Sequence, residues 1–176
     1  MRVVAGQLRG RGLAAPKGQA TRPTSDRVRE AMFSILGQVD GARVLDLFAG
    51  SGALAIEALS RGAAEATLVD SSAAAIAAIR RNLTALDLQA QVHRQRASAF
   101  LEWARADARQ YDLVFVDPPY RQTSALGREL SAALGPVLAP AARVVGESDR
   151  RDPLELDLPL LDERRYGDTL IRIHGT

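Results

Sequence analysis

"RVLDLFAGSGALAIEALSRGAAEATLVD", residues 43–70, is the stretch on which the fold turns. Its opening "RVLDLF" is apolar enough for a buried strand, "GALAIEALSR" reads as a helix that Gly62 stops, and "ATLVD" reads as a second strand. Strand, glycine turn, helix and strand in succession make one unit of a parallel sheet with a right-handed crossover.

The same alternation continues downstream. Residues 72–86 form an alanine-rich helical pattern, "QVHRQ" a strand, "ASAFLEWARA" a helix and "DLVFVD" a strand, followed by a helix near 123–134 and a fifth strand in "ARVVGES". Runs such as "LVFV" do not alternate, as expected for strands covered on both faces. In the tail, "LLDERRYGDTLIRIHG" leaves no room for a helix around "YGD", which predicts a hairpin and an antiparallel last strand. The expected fold class is α/β: a doubly wound, mostly parallel seven-stranded sheet, Rossmann-like. Ahead of it, "RVVAGQLRGRGLAA" reads as a short hairpin and "KGQATRPTSD" as a loop. Thr24 or Ser25 is placed to cap a helix whose apolar stripe is Val28, Ala31, Met32, Ile35 and Leu36, ending at Gly37. The expected organisation is a basic N-terminal extension over 1–40, hairpin and helix, and the α/β domain over 41–176.

Composition narrows the function. With 176 residues, 47% of them hydrophobic, the chain suits one compact domain. The absence of cysteine excludes disulfides, thiolate metal sites and cysteine nucleophiles, and two distant histidines, His93 and His174, predict no metal site. Without an apolar leader or a run of membrane-spanning length, the expectation is a soluble, cytoplasmic protein with no membrane partner. Net charge is +2, but residues 1–29 carry seven basic side chains and one acidic, against 16 and 20 in the remainder. A basic arm on an acidic body suggests a polyanionic partner; a solvated tail is the plainer alternative.

In a doubly wound sheet, ligands bind beyond the carboxyl ends of the strands. The first such end is "LDLFAGSGALA", where Gly50 and Gly52 permit a tight turn and close approach of a ligand to the backbone. Asp70, closing the second strand, is suited to the two hydroxyls of a ribose. Gly50-x-Gly52-x-x-Ala55 also fits the dinucleotide fingerprint, so a nicotinamide-dependent reductase stays open. Two residues lean the other way. Asp46 directs negative charge at the loop, which repels a pyrophosphate and attracts an amine, and Phe48 stands where dinucleotide sites want bare backbone. An adenosine ligand with a cationic amino-acid end, S-adenosylmethionine, fits better.

The fourth strand ends in "DPPY", Asp117, Pro118, Pro119 and Tyr120. Prolines stop the strand and orient the Pro118 carbonyl beside the Asp117 carboxylate. Two acceptors and an aromatic face are what an exocyclic amine on a flat base needs, with the base stacked on Tyr120 after leaving its own stack. An ordinary strand-ending turn is the bland alternative.

The pairing of "LDLFAGSGALAIEALSRGA" with "VDPPY" resembles the class I methyltransferases that modify exocyclic amines. The front end, "GQLRGRGL" followed by "TRPTSDRVREAMFSIL", resembles the signature of the RsmD-type bacterial enzymes, which methylate guanine N2 in small-subunit 16S ribosomal RNA. The resemblance spans residues 2–147. It implies that Asp46 and the loop Phe48, Ala49, Gly50, Ser51, Gly52 hold the methionine end of the donor and that Asp70 takes the ribose. It also implies that Arg96 and Ala97 lie at the adenine site and Glu147 near the target base. Arg96 departs from the Asn or Asp usual there, and Ala55 replaces a common Gly. Arg9, Arg11, Arg22 and Arg27 match the signature and are expected to contact RNA phosphates without reading sequence. The implied partner is ribosomal RNA, within a small subunit or an assembly intermediate, met by a monomer. Methylation of adenine N6 in DNA or RNA, and an RNA-binding module with an idle site, are the alternatives.

Overall fold

The computed structural model describes residues 1–16, 25–119 and 123–176. Tyr120, Arg22 and the alternative cap Thr24 therefore lie outside the described residues. The elements run α1 (Asp26–Leu36), β1 (Arg43–Leu47), α2 (Ala53–Ser60), β2 (Glu65–Asp70), α3 (Ala73–Leu86), β3 (Gln91–Arg94), α4 (Ala97–Ala106), β4 (Tyr111–Val116), α5 (Thr123–Leu134), β5 (Leu138–Asp149), β6 (Leu160–Tyr166) and β7 (Thr169–Gly175). One seven-stranded sheet takes the order β3-β2-β1-β4-β5-β7-β6. The first five strands are parallel, and β7 enters antiparallel between β5 and β6, as the tail pattern predicts.

The unalternating strands have a simple cause. Val44, Leu113 and Phe115 point into a core shared with α1, α2 and α3, while Leu45, Leu47, Val114 and Val116 point into a second core under α4 and α5. Both faces are buried, so both parities must be apolar. The fifth strand differs from its prediction: it begins at Leu138, four residues before "ARVVGES". Pro140 and a left-handed Ala141 (φ 59°) lie in its first part, and the pairing with β4 shifts register between Tyr111 and Leu113. Such an irregularity tolerates a proline that a regular central strand excludes.

Helix α1 starts where expected. The Ser25 hydroxyl accepts from the Val28 N–H at 3.2 Å, and Asp26 sits in the first turn. Its buried face is rotated from the predicted stripe: Val28, Met32 and Leu36 are buried, Ala31 and Ile35 half-buried, and Phe33 and Arg29 join the interior. The phenyl ring of Phe33 tilts against Phe115 of the central strand, with centroids 5.6 Å apart.

The predicted N-terminal hairpin is reduced to one antiparallel bridge, Arg2 with Gly12, reinforced by Val3 N–H to Arg11 O at 2.9 Å and Leu13 N–H to Met1 O at 3.0 Å. The described part of this arm is docked rather than a solvated tail. Val3 and Leu13 are buried in the same core as α1 and α2. Side chains from the helices then take up its backbone. Glu57 accepts from Val4 N–H (2.7 Å) and Ala5 N–H (2.9 Å), and the Ser60 hydroxyl accepts from Leu8 N–H (2.9 Å) and donates to Ala5 O (2.6 Å). No described helix is long and apolar enough to cross a membrane.

Candidate active site

Strands β1 and β4 are direct neighbours, and Leu47 pairs with Val116. The residues that follow them, Phe48 and Asp117, therefore leave the sheet at the same edge and side by side. The crossover from β1 goes to β2 on one side and that from β4 to β5 on the other, so this is the switch point of the sheet. The next tip is β5: Gly146 pairs with Val116, which sets Glu147 beside Asp117. On the other flank, the tips of β2 and β3 bring Asp70 and Arg96 to the same edge. The sequence-predicted donor residues and the "DPP" turn are thus brought together by adjacent strands.

The glycine loop is tightly built. Phe48, Gly50 and Gly52 all have positive φ, 63°, 56° and 78°. For a phenylalanine that conformation is strained and is found chiefly where a site requires it. Ala49 N–H bonds to Val69 O at 3.0 Å and Gly52 N–H to Ala49 O at 2.6 Å, closing the turn. A side chain on Gly50 would meet nothing nearer than Phe48 O at 3.9 Å, so the loop is open on that face. A Cβ on Gly52 would instead fall 2.8 Å from Leu68 Cδ2. Gly52→Ala is accordingly expected to cost about 1–3 kcal/mol, combining a left-handed alanine with overpacking; urea denaturation measures it.

Two carboxylates hold this loop. Asp46 is buried, and its Oδ2 accepts from Ala55 N–H in the first turn of α2 at 3.1 Å, supplying the cap that Gly52 cannot. Burial raises its pKa to about 7; the Ala55 bond opposes that rise and the charge of Asp70 adds to it. Asp70 uses both oxygens on backbone, accepting from Gly50 N–H at 2.9 Å and Ser72 N–H at 2.8 Å. A carboxylate has about four lone-pair positions, so two remain for a ligand. Arg96 is exposed and occupies the N-cap of α4 without a side-chain capping bond, and Ala97 behind it is buried. Asp117 is half-buried, Pro118 buried and Pro119 exposed. Glu147 is buried, near enough to the wholly buried Arg29 for their charges to interact.

The predicted RNA contacts separate in space. Arg9 and Arg27 line one cleft of about 380 Å³ together with Arg2, Asp26 and Glu30. Arg11 lies elsewhere, its Nη2 donating to Ala85 O at 2.9 Å near the end of α3.

Three residues of structural consequence escaped sequence reasoning: Glu57, Asn82 and Arg29, all buried. Asn82 joins the arm to the glycine loop through Ala14 and Ser51. Glu57 alone carried a faint signal, as the single acid in "ALAIEALS"; Arg29 and Asn82 stand among other polar residues of their helices and carried none.

A doubly wound sheet with an open glycine loop, an acidic second strand and an Asp-Pro-Pro turn at its switch point is the class I methyltransferase fold. Residues 1–175 match the family model described as Conserved hypothetical protein 95, and the chain belongs to that family. It is 39% identical over 185 residues to the "Putative rRNA methyltransferase YlbH" of Bacillus subtilis, covering 99% of this chain and 98% of that protein. It is 44% identical over 124 residues to the "Ribosomal RNA small subunit methyltransferase D" of Escherichia coli, an alignment covering 69% of this chain and 61% of that one. Among solved structures, "Putative methyltransferase yhhF from Escherichia coli" superposes with a TM-score of 0.83 at 37% identity, covering 99% and 97% of the two chains.

Proposed function

We propose that this chain transfers a methyl group from S-adenosylmethionine to the exocyclic N2 amine of a guanine in small-subunit ribosomal RNA. The observation that carries the reading is the adjacency of the glycine loop and Asp117 at the tips of two paired strands. The relatives' names support ribosomal RNA as the substrate, and the arginine-lined cleft on the arm suits a phosphate backbone. In this reading the chain acts as a cytoplasmic monomer on a small subunit or an assembly intermediate.

The donor supplies a sulfonium-bound methyl group already activated for displacement. The chain's task is therefore chiefly positioning, which can be worth about 7–11 kcal/mol. Asp46 and the backbone of Phe48, Ala49, Gly50, Ser51 and Gly52 would hold the amino-acid end, Asp70 the ribose hydroxyls, and Arg96 with Ala97 would flank the adenine. Asp117 and the Pro118 carbonyl accept the two N–H groups of the target amine, which aims its lone pair at the methyl carbon. Tyr120 supplies the stacking face. As the N–C bond forms and the C–S bond breaks, positive charge develops on nitrogen and the acceptors stabilise it. The methylated cation then releases its proton, so no strong base is needed beforehand.

The buried state of Asp46 makes donor binding pH-dependent. Between the ordinary carboxylate range and about 7, the folded protein holds a proton on Asp46 that the unfolded chain has lost, so stability falls as pH rises through that window. A cationic amine needs the ionised form, so donor affinity runs the opposite way. It is expected to rise about ten-fold from pH 6 to pH 8, and calorimetry should show the rise absent in Asp46→Asn.

The deciding experiment incubates the protein with methyl-labelled S-adenosylmethionine and 16S rRNA, small subunits or DNA, and then maps the modified nucleoside. Label in N2-methylguanine of the RNA is expected. Transfer to adenine, or binding of NAD(P)H in place of S-adenosylhomocysteine, would overturn the reading.

A further inference from the structure

We propose that Asn82 is a positioning residue that locks the N-terminal arm to the glycine loop, so that RNA held by the arm tightens the donor site. The inference rests on the donor and RNA reading above.

Asn82 projects from α3 and is buried. Its Oδ1 accepts from Ala14 N–H at 2.8 Å, while its Nδ2 donates to Ala14 O at 2.9 Å and to Ser51 O at 2.9 Å. Every hydrogen of the amide is used, one on the arm and one on the loop. Ser51 sits between Gly50 and Gly52, whose left-handed backbones shape the turn, so its carbonyl reports the orientation of the whole loop. A second contact joins the same two segments, with the Ser51 hydroxyl 3.8 Å from Met1 Sδ. Met1 O accepts from Leu13 N–H at 3.0 Å, Val3 N–H donates to Arg11 O at 2.9 Å, and Val3 O accepts from Gly10 N–H at 2.9 Å. A few backbone bonds therefore connect the cleft of Arg2, Arg9 and Arg27 to Ser51. Arm and loop move as one unit while Asn82 holds them. A ligand that favours one arrangement of the arm then favours one arrangement of the loop, and the effect is reciprocal.

Asn82→Asp keeps the shape of the side chain but turns both donors into an acceptor facing the carbonyls of Ser51 and Ala14. S-adenosylhomocysteine should bind this variant about ten-fold more weakly, and the gain in its affinity on adding 16S rRNA should disappear. Val137→Ala, buried in the opposite core, serves as the stability control: it should leave donor affinity and the RNA effect unchanged. Wild-type donor affinity and an undiminished RNA effect in Asn82→Asp would overturn the inference. Should that variant fail to fold, exchange of the Ala14 amide in the native protein tests the same link. S-adenosylhomocysteine should slow it several-fold, and an unchanged rate would overturn the inference. A native protein that binds no S-adenosylhomocysteine at all would sink the donor reading, and this inference with it. Loss of the Asn82 effect alone leaves the donor reading standing.

Discussion

Replacing Asp117 by alanine is expected to slow methyl transfer by about 30- to 1,000-fold, a loss of roughly 2–4 kcal/mol of transition-state stabilisation. The expectation follows from charge rather than from bulk. An amine conjugated to a purine ring donates poorly until it pyramidalises, and positive charge then grows on its nitrogen. A carboxylate accepting one of its hydrogens stabilises that charge most where it is largest, so kcat should fall far more than donor affinity. Asp117 follows β4 directly, and the buried Pro118 restricts the backbone of the turn beside it. Asp117→Asn, which keeps an acceptor oxygen but not the charge, should fall between the two. Single-turnover transfer with saturating S-adenosylmethionine makes the measurement, with calorimetry against S-adenosylhomocysteine as its control. Full-rate transfer by Asp117→Ala would remove the carboxylate from the mechanism.

Glu57→Ala should have the largest effect on stability, about 3–5 kcal/mol, the usual cost of removing one partner of a buried charged pair. Glu57 is fully buried in α2 and accepts from Val4 N–H, Ala5 N–H and, at 2.8 Å, Arg61 Nε. Alanine leaves two backbone donors and a guanidinium without their acceptor. Arg61 is one-fifth exposed and lies 4.7 Å from the Phe33 ring centroid, so it retains water and an aromatic face. Val4 and Ala5 are half-buried, so their amides regain water only in part. Against a typical stability of about 5–15 kcal/mol, the loss is large. Urea denaturation measures it, and Glu57→Gln, which retains one acceptor, should lose less. A change under about 1 kcal/mol in the alanine variant would mean that water replaces the carboxylate there.

The two predictions fall on opposite sides of what the chain discloses. Asp117 was legible because its neighbours are unusual: an apolar strand seldom ends on an acid and two prolines. Asp46, Gly50, Gly52 and Asp70 were legible for a similar reason, as polar or flexible residues at the ends of apolar runs. Glu57 was not, since in "ALAIEALS" a single acid reads as one solvated position on a helix. Its partners lie 52 and 53 residues earlier, and nothing local announces them. Arg29 escaped for a different reason: one partner, Asp26, is a near neighbour in α1, but its burial and its bond to Arg2 O come from the docking of the arm. The early start of β5 was hidden behind Pro140, because a proline excludes a regular strand and only pairing with β4 creates the irregular one.

The sequence by itself determined the order of strands and helices, the antiparallel tail and the glycine loop and "DPP" turn at carboxyl ends, because periodicity and turn chemistry act between near neighbours. The tertiary structure decided that β1 lies against β4, that the basic arm is docked on α2 and α3, and which charged side chains are interior. The strand pairing and the docking of the arm depend on contacts between segments fifty or more residues apart, and the burial of the charged side chains follows from that packing; none of it exists until the chain has chosen its path.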